Sequence, residues 1–168
     1  MKKMFVILIA LALSTSAFSQ GKDVVDIAIG SADHTTLVAA VKAADLVTTL
    51  KNKGPFTVFA PTNAAFDKLP EGTVATLLKP ENKSKLSTIL TYHVVSGNLD
   101  AAAVLSAIKS GNGKVVLTTV SGGKLTATLD MGKVKLTDEM VSSAYVTVAD
   151  LKGSNGVIHV IDGVVLPK

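Results

Sequence analysis

The spacing of apolar residues changes character once along the chain. Up to about residue 110 they recur every three to four positions, as in helices that bury one face; from Lys114 onward they alternate, as in strands. In the first part, Asp33 or Thr35 is placed to cap a helix carrying Leu37, Val38 and Val41. Asp45 restarts the pattern through Leu46 and Leu50, and Gly54-Pro55 breaks it. Phe56 to Ala60 reads as a short buried strand closed by Pro61, after which Thr62 or Asn63 can cap a turn bearing Phe66 and Leu69. Helical pieces are predicted from about Thr73 to Leu78 and from about Asn82 to Tyr92, the latter with Leu86, Ile89 and Leu90 inward. A last helix follows Asp100 with Val104, Leu105 and Ile108. Strands are predicted at Val115–Val120, Leu125–Leu129, Val134–Thr137, Tyr145–Ala149, Val157–Ile161 and Val164–Leu166, with Gly-rich joints such as Ser121-Gly122-Gly123. In the second of these, Leu125, Ala127 and Leu129 face one way and Thr126 and Thr128 the other. A helical block followed by hairpin-linked strands predicts an α+β domain with helices packed against a sheet.

The first twenty residues follow a different logic. Lys2 and Lys3 precede an unbroken apolar run, Met4 to Leu13, which is about half the ~20 residues a membrane-spanning helix needs. Ala17-Phe18-Ser19 then places small residues at the positions a signal peptidase reads, so residues 1–19 are expected to be a secretory signal peptide and 20–168 a single domain. The expected location is outside the cytoplasm: periplasm, cell surface or medium. No transmembrane segment is expected in the mature chain.

Composition narrows the chemistry. The 168 residues are 48% apolar and contain no cysteine, which excludes intrinsic disorder, thiol catalysis and thiolate zinc sites. All 17 basic residues are lysine, and two leave with the signal peptide, so 15 face 13 acidic residues and the mature net charge is about +2. Without arginine or tryptophan, and with scattered lysines, no nucleic-acid partner is expected.

Three stretches together resemble the fasciclin domain: Thr57-Val58-Phe59-Ala60-Pro61-Thr62-Asn63-Ala64-Ala65-Phe66, then Ile89-Leu90-Thr91-Tyr92-His93-Val94-Val95, then Val157 to Pro167 (VIHVIDGVVLP). The resemblance covers about Asp26 to Pro167, departing at Ser96, where many members have proline. It implies a twisted antiparallel β-wedge or sandwich decorated by helices. It further implies a secreted, non-catalytic adhesion or matrix-binding module that needs no cofactor, with a surface or matrix protein or polysaccharide as partner. In animal members the Tyr-His pair and its branched apolar neighbours are assigned to integrin binding. The matching candidates are Ile89, Leu90, Tyr92, His93, Val94 and Val95.

Each candidate also has a purely structural reading. Thr57, Phe59, Pro61, Phe66, Val160 and Ile161 read as core or strand material, Thr62 and Asn63 as caps, His159 as a hydrogen-bonded strand residue, and Asp162 before Gly163 as a turn former. His93, closing a helix, suits the last carbonyls and the dipole, or else a pH-sensitive surface. Ser96 near His93 is the nearest thing to a nucleophile and base, but no G-x-S-x-G elbow exists. His34, His93 and His159 lack metal-ligand spacing, and Asp138-Glu139 is not a calcium loop. Asn82-Lys83-Ser84 fits a glycosylation sequon, read as a chance match in a bacterial chain. The lysines at 79, 83 and 85, and Lys133 and Lys135 on one strand face, read either as solvated charge and edge protection or as attraction for acidic polysaccharide. The rival function is a periplasmic carrier of a small apolar ligand or lipid, which requires a sizeable apolar cavity.

Overall fold

The computed structural model describes residues 21–168; the expected signal peptide lies outside the described residues. The helices are α1 (Val24–Ile29), α2 (Thr35–Ala43), α3 (Val47–Leu50), α4 (Asn63–Asp67), α5 (Thr73–Leu77), α6 (Lys83–Tyr92) and α7 (Ala101–Ser110). The strands are β1 (Phe56–Pro61), β2 (Val94–Ser96), β3 (Lys114–Thr118), β4 (Lys124–Asp130), β5 (Lys133–Thr137), β6 (Ser143–Gly153) and β7 (Gly156–Ile161). They form one seven-stranded sheet in the order β2-β1-β7-β6-β5-β4-β3. The class is α+β as expected, but the sheet is mixed: β1 runs parallel to β7, and every other neighbouring pair is antiparallel.

The sheet curls until its two edges nearly meet. Thr119 and Val120, expected to extend β3, instead turn toward β2, where Thr119 bridges Val95 and the Val120 N–H donates to Val94 O at 2.7 Å. Two hydrophobic cores result. One fills the interior of the curl with Phe59, Tyr92, Val95, Leu117, Leu125, Leu136 and Ile161, stopped at one side by Val104 and Ile108 of α7. The other lies between the outer face of β1 and β7 and helices α1, α2, α3 and α6, and contains Leu37, Val41, Ala60, Leu90 and Ile158. Alternation along β1 and β7 assigns their residues: Val157, His159 and Ile161 face one core, Ile158 and Val160 the other.

Helix starts follow local chemistry where the sequence offered it. Thr62 Oγ1 accepts the Ala65 N–H, and the Asp100 carboxylate accepts that of Ala103. Helix α1 escapes the apolar pattern because it is only six residues long, yet Asp23 and Asp26 close a capping box at its start. Asp33 and Thr35 cap nothing; Asp33 lies in a 3-10 turn, Ala32–His34, that leads into α2. Asp45 does not cap α3 either, but sits between helices at φ 60°. The expected strand Val164–Leu166 is an extended tail, because side chains take its N–H groups: His93 Nε2 accepts that of Val165 and Asp138 Oδ2 that of Leu166.

Candidate functional site

The end of α6 and the start of β2 carry the six residues singled out by sequence, and all six are buried. Ile89 and Leu90 form the inward stripe of α6, while Val94 and Val95 point to opposite sides of β2. Tyr92 is 0% exposed and His93 2% exposed. The sequence leaves the exposure of these two rings open; in the structure β3, β4 and the tail close over the helix end and bury both.

Tyr92 is the centre of a polar cluster within the curled sheet. Its ring packs so closely on Gly123 that a Cβ there would stand 2.6 Å from a ring carbon. Its hydroxyl donates to Lys124 O and accepts the Glu139 N–H at 3.3 Å. Burial, assisted by the charges of Glu139 and Asp138, pushes the phenol up to about 12, so it remains a donor at neutral pH. Glu139 Oε1 accepts the Lys124 N–H at 3.0 Å and Oε2 accepts the Lys168 N–H at 3.3 Å. Asp138, 6% exposed, uses Oδ1 for the Met140 and Ser142 N–H groups and Oδ2 for that of Leu166, all within 2.8–2.9 Å. Tyr92, Asp138 and Glu139 together fasten the 138–142 loop and the tail to the barrel. That loop holds Val141 at φ 65°, unusual for a β-branched residue, and 81% exposed.

The three histidines are structural. His93 Nδ1 lies 2.8 Å from Ile89 O and Nε2 accepts the Val165 N–H, which assigns the proton to Nδ1. Burial drives its pKa down to about 4, so the reading of a pH-sensitive surface is corrected. Both ring nitrogens are committed, leaving none to serve Ser96 as a base. His159 Nε2 donates to Leu99 O at 2.7 Å, Nδ1 accepts the Asp150 N–H at 3.4 Å, and the ring stacks on Phe59 at 5.7 Å. His34 Nδ1 meets Ser31 Oγ at 2.7 Å, while its buried Nε2 has no partner.

Thr57 Oγ1 donates to Gly97 O and accepts the Leu99 N–H, both at 2.8 Å. Asn63 does cap a helix, but a distant one: Oδ1 accepts the Thr36 N–H at 3.0 Å and Nδ2 donates to Ala32 O, so it seats the start of α2. Asp162 Oδ1 accepts the Tyr145 N–H at 2.8 Å. Phe59, Phe66 and Ile161 are core, and Val160 and Pro61 are buried strand residues. Asp138, which ties the loop to the tail, was weighed from sequence only as a calcium ligand. Its one legible signal was an acidic residue directly after a strand.

Enclosed space is scarce. The crevice beneath α1 and α2 measures about 40 Å³ and its neighbour beside His34 about 20 Å³, against the several hundred Å³ of a ligand pocket. Larger depressions, such as one of about 440 Å³ between Asp23, Asp26, Lys51 and Asn155, are polar and open. Among the described residues no group of three or more His, Asp or Glu is placed to hold a metal ion, and no helix is long and apolar enough to cross a membrane.

Comparison with known proteins settles the family. The Fasciclin domain model matches residues 32–167. This chain belongs to the fasciclin domain family. Protein sll1483 of Synechocystis sp. is 52% identical over 155 residues, which span 92% of this chain and 79% of that protein. The cell surface glycolipoprotein MPB83 of Mycobacterium bovis is 37% identical over 123 residues, 73% of this chain and 48% of that protein. A solved fasciclin domain pair from the insect cell adhesion molecule Fasciclin I superposes with a TM-score of 0.76 at 18% identity, covering 86% of this chain and 51% of the other. That likeness confirms the fold, of which this chain is similar to about half of the pair.

Proposed function

We propose that this chain is an exported, non-catalytic fasciclin module that attaches to surface material outside the cytoplasm, with residues 1–19 removed on the way. Its membership of a family that includes a cell adhesion molecule and a cell surface glycolipoprotein supports the reading. The observation that carries it is how the polar residues of the three family boxes are spent. Thr57, Thr62, Asn63, Tyr92, His93 and His159 all hydrogen-bond within the domain, so they maintain a rigid scaffold rather than a reactive centre. The Tyr92-His93 motif acts on partners only indirectly, by fixing the 138–142 loop and the tail that lie over it. The carrier reading lacks an enclosed cavity of the required size among the described residues.

The test is to fractionate the native host and recover the mature protein with whatever stays bound. Retention on envelope or extracellular material through mild washing is expected. Recovery as free protein carrying a stoichiometric small molecule in native mass spectrometry would overturn the reading in favour of the carrier.

A further inference from the structure

Half of the sheet has no helix on its outer side. The inward residues of β3, β4 and β5, such as Leu117, Leu125, Ala127 and Leu136, pack with α7 and the barrel interior, so the residues between them face solvent. The register aligns these into rows across the strands: Lys114, Thr128, Lys135 and Tyr145 in one, and Val116, Thr126, Thr137 and Ser143 in the next. Lys124 opposite Thr118 and Lys133 opposite Asp130 extend the same face. The surface is thus rich in hydroxyls and cationic.

Its charge is out of proportion to its size. Lys114, Lys124, Lys133 and Lys135 against Asp130 and Glu139 give this face a net charge of about +2, equal to that of the whole mature chain, so the remainder is close to neutral. Glu139, at the Lys124 end, keeps its negative charge while accepting two backbone N–H groups. Part of the face is also pre-arranged. The Tyr145 hydroxyl donates to Asp130 Oδ2 at 2.7 Å, and Lys135 lies 3.9 Å from that carboxylate and 5.9 Å from the centre of the Tyr145 ring. The other threonines near the interior, Thr57, Thr62 and Thr119, have hydroxyls committed to the fold; those on this face point outward from the sheet.

We infer that the outer face of β3–β6 is a docking surface for an acidic polysaccharide, an inference that rests on the interaction-module reading above. The lysine row meets the carboxylates of the polymer, while the threonine hydroxyls and the unshared oxygen of Asp130 exchange hydrogen bonds with sugar hydroxyls. Strands about 4.8 Å apart set Lys114 and Lys135 roughly 10 Å from each other, two strands on, so an extended chain laid across the strands meets cations at intervals. Tyr145 is the one large aromatic residue of the face, and Val116 its one exposed aliphatic within the rows, few for the apolar anchors of a protein interface. Its single aromatic ring, Tyr145, has the Lys135 ammonium 5.9 Å from its centre, and one ring is too few for the successive stacking of a single-stranded nucleic acid.

The test is titration calorimetry with polygalacturonate oligosaccharides at low and physiological salt, with neutral dextran as control. A triple variant, Lys114→Gln, Lys133→Gln and Lys135→Gln, is expected to bind about tenfold or more weakly with a shallower salt dependence. The triple variant Lys79→Gln, Lys83→Gln and Lys85→Gln removes the same charge elsewhere and is expected to stay within about twofold. Equal losses in both variants, no binding by the unmodified protein, or equally tight and equally face-dependent binding of single-stranded DNA would each overturn the proposal. Envelope retention separates the two levels. If the first triple variant stays on native envelope material as well as the unmodified protein does, this face is wrong and the module reading stands; if the unmodified protein is not retained, the module reading itself fails.

Discussion

The two cores of this domain differ in a single buried polar atom among the described residues. Inside the curled sheet, every polar atom of Tyr92, Asp138 and His159 described above has a partner, and each of the three residues has one at least 28 positions away in sequence. Under the helices, His34 Nε2 is left without one beside about 20 Å³ of empty space, and the next crevice shares Ala28, Ala60 and Ile158 with it. Helix α1, which covers both crevices, buries Val24 and Val25 in the helical core, and its polar ties lie at its start, where Lys51 bridges Asp23 and Asp26 at 2.9 and 2.6 Å and Asn155 Oδ1 accepts the Val24 N–H. The barrel core is cross-braced, whereas the helical core is covered by a strap. Cross-bracing by buried hydrogen bonds fixes one arrangement, because each unmade bond costs more than a made one contributes.

The contrast is broken most severely at Tyr92. Tyr92→Ala leaves a ring-sized void and strands Lys124 O and the Glu139 N–H; a loss of about 4 kcal/mol in urea denaturation is expected. Tyr92→Phe isolates the hydroxyl and is expected to cost about 1–2 kcal/mol. A loss equal to that of alanine would place the bracing in the hydrogen bonds rather than in packing. Next comes acid. His93 has a pKa of about 4 in the folded domain against ~6.5 in an unfolded chain, so the unfolded chain takes up the proton first. The stability this represents is whole above pH ~6.5 and is lost as the pH falls through 4, a change on the order of 3 kcal/mol. His34, also shifted down by burial, acts with the same sign. Denaturation midpoints measured between pH 7 and 4 are expected to fall in the unmodified protein and to fall less in His93→Gln, whatever that variant's stability at pH 7.

Asp138→Asn sharpens the comparison by weakening one brace. An amide accepts at one atom where the carboxylate accepts at two, and a loss of about 2 kcal/mol is expected. Hydrogen exchange should quicken at Met140, Ser142 and Leu166 while α1 is unaffected. The smallest effect belongs to the strap. Lys51→Gln removes two exposed ion pairs whose interaction lowers the Asp26 pKa and raises that of Lys51. Global stability should barely move, and high salt should abolish the difference from the unmodified protein. Exchange at α1 should nevertheless rise; unchanged exchange there would mean that Asn155 and apolar contacts hold the helix without it.

What could be read from sequence was what nearest neighbours decide. Thr62 and Asp100 cap the helices they precede, and the alternation along β4 buries Leu125 and Ala127 as read, while Leu129, assigned to the same face, is exposed near the strand end. What could not be read depends on residues remote in the chain. Asn63 was recognised as a cap, but the helix it seats lies 27 residues earlier. Val164–Leu166 has the composition of a strand, and only the positions of His93 and Asp138 divert its N–H groups from pairing. Tyr92 and His93 close an amphipathic helix whose end is free in the sequence; that the β3–β4 turn and the tail cover it is a tertiary fact. Helix α1 was legible in principle, through Asp23 and Asp26 flanking Val24-Val25, but six residues give the apolar period no room to show.

The parallel pairing of β1 with β7 has a consequence for how the chain must emerge. The strand Gly156–Ile161 comes almost last, and it pairs β1 with β6, linking the β2-β1 pair to the hairpins beyond. A polypeptide delivered N-terminus first through a ribosome or a translocation channel therefore holds about 150 residues without their keystone, unable to close either core. Contacts of such long sequence separation fold slowly. The topology defers closure of the sheet until the strand Gly156–Ile161 is in place.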